Sequence, residues 1–354
     1  MAARAKAAKT KQPGAGRRHV TLRDVAVAAG VSPMTVSNFV NSRLSAMSAD
    51  TRDRIQRVVD ELGYRPHAMA RNLRLARRYA IDMVIVDDAP HYLADPFTTH
   101  IVAGLSNHLN SQGYALQLQA VAPAEFHDSA LVRNLRADGV CVLMSGSNAT
   151  RRGFLNSLLG LGQPIVAFQE SSPPQGADLC AIVQDDRAGG RLVARHVLER
   201  GPRAIAMLVP SVTWPAIVQR VAGVRDALRA APGVAFRIVA CGDGEYGQTQ
   251  DALAADMAVH GTPDAVIAGN DQMGIAAMKL MAAKGLRVPA DVAITGFNAF
   301  EFWQYTDPML TTIVSPAYEM GARGAAELLA RLSEGHFRTP RIVFPVTLQP
   351  GGST

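Results

Sequence analysis

The residues with the clearest chemistry to offer lie near the start of the chain, in the stretch Thr21 to Asn41, TLRDVAVAAGVSPMTVSNFVN. Pro33, Met34, Thr35, Ser37 and Asn38 combine hydroxyls, a carboxamide and apolar atoms. These are the groups that hydrogen-bond base edges and touch thymine methyls in a DNA groove. Their spacing indicates the elements that hold them. Leu22, Val25, Ala26 and Ala29 recur at helical spacing, Gly30 interrupts, and Val36, Phe39 and Val40 carry a second periodic run. Ser32 suits an N-cap and Pro33 the first helical position, whose amide has no partner within a helix. Two short helices around a glycine turn are the plan of a helix-turn-helix, whose second helix offers its first residues to the major groove. On this reading Pro33, Met34, Thr35, Ser37 and Asn38 face DNA, Val36, Phe39 and Val40 pack inward, and Thr21 and Asn41 bound the contacting stretch. An αα-hairpin that merely caps a core would share the helices but not the charge around them.

That charge is concentrated. Residues 1 to 78 hold 16 Lys and Arg against 5 Asp and Glu, net +11, while the whole chain is +6, so residues 79 to 354 carry −5. A basic module on a mildly acidic body points to a polyanion at one end. The length of 354 residues predicts two or three domains. Cys141, Cys180 and Cys241 are odd in number and lack paired spacing, which indicates neither a disulfide framework nor zinc. The opening residues have charge but no apolar core region, and no apolar run approaches the ~18 residues of a membrane span. The expectation is a cytoplasmic protein without membrane contact. No GxxxxGK[ST], HExxH or nucleophile elbow occurs, and His91, His100, His108 and His127 lack ligand spacing, so no enzyme, metal or cofactor is expected.

Taken in order, residues 1–19 read as a disordered basic tail and 20–65 as a DNA-binding headpiece. Its third helix opens at Ser48, carries the stripe Ile55, Val58, Val59 and Leu62, and ends at Gly63. Residues 66–78 form an Arg-rich hinge helix or linker. The order TLxDVAxxAGVSxxTVSxxVN, then SxxTRxxIxxxxxELGYRP, then ARxL resembles the headpiece and hinge of the Lac repressor (LacI/GalR) family of bacterial transcription regulators. The resemblance implies double-stranded operator DNA as partner, Tyr64 and Arg71 among its contacts, and Leu73 as an apolar wedge in a central minor-groove step. One departure stands out: many members carry arginine where this chain has Asn38. Arginine reads guanine bidentately and asparagine prefers adenine, so the operator half-site should differ.

From residue 79 short β-rich runs alternate with amphipathic ones. Candidate strands are 80–86, 115–120, 139–144, 164–168, 181–184, 204–209, 237–241, 265–268 and 293–297. Helical patterns between them include 97–112, 187–199, 217–230, 248–259 and 272–284. Such alternation predicts βαβ units and an α/β fold of parallel sheets covered on both faces. Asp95-Pro96-Phe97, Ala188-Gly189-Gly190, Arg220-x-x-Gly223, Asn270-Asp271, Gly296-Phe297-Asn298 and Leu310-Thr311-Thr312-Ile313 fall in the order of the same family's sugar-sensing body. That likeness implies a homodimer and a periplasmic-binding-protein-like body, 79–354, of two doubly wound lobes. The first lobe would take about 79–179 and 310–340, and the second about 180–309 and 341–350. It further implies a small-molecule effector, a sugar or sugar acid, held by Arg220, Asn270, Asn298, Gln169, Tyr246, Asp95 and Phe97. Two positions at which sugar-binding members often carry aspartate are Gln169 and Asn298 here, which favours an acidic effector beside Arg220. The ending Thr347 to Ser353 is also similar to that of gluconate-responsive members.

Overall fold

The structure, a computed structural model, describes residues 20–40, 43, 47–64, 77–88, 92–170, 174, 176–242 and 244–354. Asn41, Arg71, Leu73 and the 1–19 tail lie outside the described residues. The chain divides into two compact units, Met1–Arg77 and Arg78–Thr354.

In the first unit α1 is Leu22–Ala28, α2 Pro33–Val40 and α3 Ala49–Leu62. Each start is capped as the residue types dictate. Thr21 and Asp24 form a reciprocal capping box, and Ser32 Oγ accepts the Thr35 amide at 3.1 Å. Ser48 Oγ accepts the Thr51 amide, and Gly63 closes α3 at φ +59°. Val25, Ala26, Ala29, Val36, Ile55 and Tyr64 bury one another at the centre.

The second unit holds strands β1 Ala80–Val86, β2 Ala115–Val121, β3 Gly139–Met144, β4 Ile165–Phe168, β5 Leu179–Gln184, β6 Ala204–Val209, β7 Ala235–Ala240, β8 Ala265–Ala268, β9 Ala293–Thr295, β10 Thr312–Val314, β11 Arg341–Phe344 and β12 Thr347–Gln349. Its helices are α4 Pro96–Ser111, α5 Ala130–Arg133, α6 Asn148–Leu159, α7 Asp186–Leu198, α8 Pro215–Leu228, α9 Tyr246–His260, α10 Asp271–Ala283 and α11 Ala317–Glu334. One parallel sheet runs β11-β5-β4-β3-β1-β2 and the other β7-β6-β8-β9. Alternate residues of β1 serve opposite faces: Ile81, Met83 and Ile85 join one core, Val84 and Val86 another. Burial on both faces is why these strands read as unbroken apolar runs.

The lobe borders differ from expectation. Strand β5 and strand β11 complete the first lobe's sheet, so the first crossing lies at 184–186, and 341–344 belong to the first lobe. The chain crosses again at 314–317 and at 344–347. The antiparallel pair β10-β12 joins the second lobe through bridges Thr295↔Thr311 and Asn298↔Val314. Strands β10, β11 and β12 have three or four residues each, too few for periodicity to show. Residues 351–354 also belong to the second lobe: fully buried Ser353 accepts the Ile294 amide at 2.8 Å and the Thr311 amide on its hydroxyl at 2.8 Å. Among the described residues no helix is long and apolar enough to cross a membrane.

Candidate functional site

In the headpiece, Val36 is fully buried and turns α2 so that Pro33 and Met34 are exposed, Met34 by 65%. Thr35, Ser37 and Asn38 flank them, half-buried. An apolar side chain as open as Met34 has no core role, and α2 contains no charged residue, so nothing on it repels phosphate. Thr21, expected among the contacts, is committed locally: its hydroxyl donates to Asp24 at 2.7 Å. Tyr64, also expected among the contacts, lies in the headpiece core. It is 8% exposed, and burial pushes its phenol up.

The seven expected effector residues, scattered over 204 positions of sequence from 95 to 298, line one cavity in the second unit. The topology is responsible. Gln169 follows β4, Asn270 follows β8, Asn298 follows β9, Asp95 and Phe97 follow β1, and Tyr246 follows β7. All stand at carboxyl ends of parallel strands, where open α/β sheets leave their crevice. Two of these positions are conformationally unusual. Gln169 has φ +59° and Asn298 φ +114°, the left-handed region that side-chain-bearing residues seldom adopt and that clusters at ligand sites.

Several of these side chains are already engaged. The Asp95 carboxylate caps α4, accepting from Thr98 N at 3.1 Å and Thr98 Oγ1 at 2.8 Å. Asn270 Oδ1 caps α10 through Met273 N at 2.9 Å. Next to it, buried Asp271 accepts from Thr312 Oγ1 at 2.5 Å and Phe300 N at 3.2 Å, and burial pushes its carboxyl up to about 6. Behind Gln169, buried Glu170 accepts from Arg151 Nε at 2.8 Å and holds the turn. Gln169 Nε2 itself is buried and has no hydrogen-bond partner. A buried amide donor left open is costly unless something arrives to accept from it. Tyr246, by contrast, is 54% exposed and belongs to the rim.

Arg220 is the best-defined group. It is 5% exposed, with Nε donating to Asp186 Oδ1 at 2.8 Å, Nη1 donating to the Gly269 carbonyl, and Nη2 donating to Asn298 Oδ1 at 3.2 Å. Its guanidinium carbon lies 3.6 Å over the Phe297 ring. Three of five N–H donors are thereby used and two remain for the cavity. Asp226, one conceivable partner on the same helix, pairs instead with Arg187 at 2.6 Å. The carboxylate that balances Arg220 is Asp186, a residue the sequence did not single out. It follows Asp185, which caps α7 through Ala188 N at 2.8 Å. The adjacent acids at a helix start were the available signal, and one of them was free for another task.

This pairing sets a buried carboxylate against the guanidinium on the cavity wall. The other charged residues on the cavity wall are Lys279 against Asp87, Asp95, Glu245 and Asp307. With Arg220 paired to a buried acid, the four wall carboxylates outnumber the one remaining cation, Lys279, and amide donors and rings complete the lining. Such a lining suits a ligand rich in acceptors and apolar faces but without net charge.

Comparison with known proteins agrees with both units. The profile of bacterial regulatory proteins of the lacI family matches residues 21–67, and that of the periplasmic binding protein-like domain matches 194–354. The HTH-type transcriptional repressor PurR of Vibrio atlanticus is 28% identical over 89% of this chain and 92% of its own. A transcriptional regulator CelR–cellobiose complex is 27% identical with a TM-score of 0.67, covering 95% of this chain and all (100%) of that one. The Lac repressor dimer bound to operator and an anti-inducer is 26% identical with a TM-score of 0.78, covering 95% and 99%.

Proposed function

Because this chain belongs to the lacI family of bacterial regulatory proteins, ligand-responsive transcriptional repressors rather than enzymes, we propose that it is a homodimeric repressor released from a palindromic operator by a neutral polyhydroxylated effector. Genes of carbohydrate catabolism are the fitting targets. The observation that carries the effector class is the Arg220–Asp186 pair beside the open amide of Gln169. The solved relative with cellobiose supports the same chemistry. In this reading Pro33, Met34, Thr35, Ser37 and Asn38 meet base edges, with Asn41, Arg71 and the Leu73 wedge completing the operator contact. The effector must bind the DNA-incompetent form more tightly, since equal affinity shifts nothing.

The test is fluorescence anisotropy of the protein on duplexes from its own upstream region at two salt concentrations, with a panel of neutral mono- and disaccharides, aldonates and purines. Site-selective binding released by a neutral sugar is the expected result. Release by an aldonate or a purine alone would reject the effector class, and loss of site selectivity at the higher salt would reject the operator reading.

A further inference from the structure

We infer that Asp186 is a specificity-determining positioning residue, a buried counter-ion that sets the charge of ligand the cavity accepts. The inference rests on the effector reading above and deepens it. Asp186 is 3% exposed and lines no part of the cavity, so it acts only through Arg220.

Its place is enforced by backbone. Helices α7 and α8 touch through glycine: a Cβ at Gly190 would stand 2.2 Å from the Arg220 carbonyl, and one at Gly223 would stand 2.1 Å from the Arg187 carbonyl. The first turn of α7 is therefore pressed against the middle of α8, and Asp186 meets Arg220 Nε at 2.8 Å. Gln184 Nε2 donates to the same oxygen of Asp186 at 2.9 Å, and Ser315 Oγ donates to Gln184 Oε1 at 2.6 Å. Gln184 and Ser315 lie on two different crossings between the lobes. The counter-ion is thus fixed from both sides, by the helix pair and by the hinge strands.

The consequence for selectivity is direct. Arginine stays protonated, so an ionised Asp186 makes the pair neutral. An anionic ligand entering would face a cancelled charge at Arg220 and a cavity wall on which the carboxylates of Asp87, Asp95, Glu245 and Asp307 outnumber the one other cation, Lys279. Removing the Asp186 charge while keeping its shape leaves Arg220 its hydrogen-bond acceptor and frees its positive charge for the ligand. The cavity should then turn toward anions.

The experiment compares the parent protein, Asp186→Asn and Asp186→Asn/Arg220→Met by thermal shift and calorimetry, with sodium gluconate, inorganic phosphate and glucose as probes at matched ionic strength. Asp186→Asn is expected to gain affinity for gluconate or phosphate by about tenfold or more, with no comparable gain for glucose, and the double variant to lose that gain. No gain, or a parent that already binds these anions as tightly as Asp186→Asn, overturns the inference. Should Asp186→Asn fail to fold, Arg220→Met is set against the double variant. A higher Tm for the double variant supports the counter-ion role, and an equal or lower Tm overturns it. Operator release by sugars is a separate readout, so failure of the repressor reading is distinguishable from failure of this one.

Discussion

Arg220→Met is expected to lower the unfolding free energy by about 3–5 kcal/mol and to abolish effector-dependent release of DNA. The stability loss follows from what remains. Methionine fills much of the space over the Phe297 ring but leaves Asp186, 3% exposed, without its cation, and the Gly269 carbonyl without its donor. Breaking a buried pair from one side is worse than replacing both partners, because the surviving charge keeps its desolvation penalty. The pH dependence has a definite sign. Burial already pushes the Asp186 carboxyl up, and the Arg220 charge and hydrogen bond oppose that push. Without them the folded-state value rises further above the unfolded value of ~3.9. A raised carboxyl takes stability away as pH climbs from the unfolded value toward the folded one. The deficit of Arg220→Met relative to the parent should therefore be smallest near pH 4 and largest at neutral pH. Urea unfolding of both proteins at several pH values measures it, and a deficit that does not change with pH would mean that Asp186 is not left charged.

The seven residues that the family resemblance implied share one cavity because six of them follow strands, and short runs such as Asn270-Asp271 and Gly296-Phe297-Asn298 carried that resemblance. Asp186 could not be foreseen, because its partner is 34 residues away and the two meet through a glycine contact between helices. Nothing local in Asp185-Asp186 says that one acid caps and the other turns inward. Burial of Tyr64 in the three-helix core was equally hidden, because the ring follows Gly63 after the apolar stripe of the third helix has ended. The lobe borders were displaced because β11 pairs with β5 across some 160 positions, and its exposed and half-buried residues alternate over only four. Pairing at such range leaves no trace in a window of a dozen residues.

Asn38→Arg is expected to change which base the protein prefers at one position of each half-site. Asparagine matches the N7 acceptor and N6 donor of adenine, whereas arginine matches the two acceptors of guanine, and a good bidentate match discriminates by about 1–3 kcal/mol. The preference for A over G at that pair should swing to G over A, about 5- to 150-fold per half-site in each direction. Because α2 is uncharged, the new guanidinium would also raise affinity for all DNA, most visibly at low salt. The two effects separate in one experiment: selection from a duplex library randomised over both half-sites, followed by salt titration on the parent's and the variant's preferred sequences. A changed base at symmetric positions, with a modest rise in salt slope, is the expected pattern. An unchanged consensus with uniformly tighter binding would place residue 38 over phosphate instead. Since Val36 fixes the roll of α2, reading would then pass to Met34 and Thr35, one turn closer to the capped end of the helix.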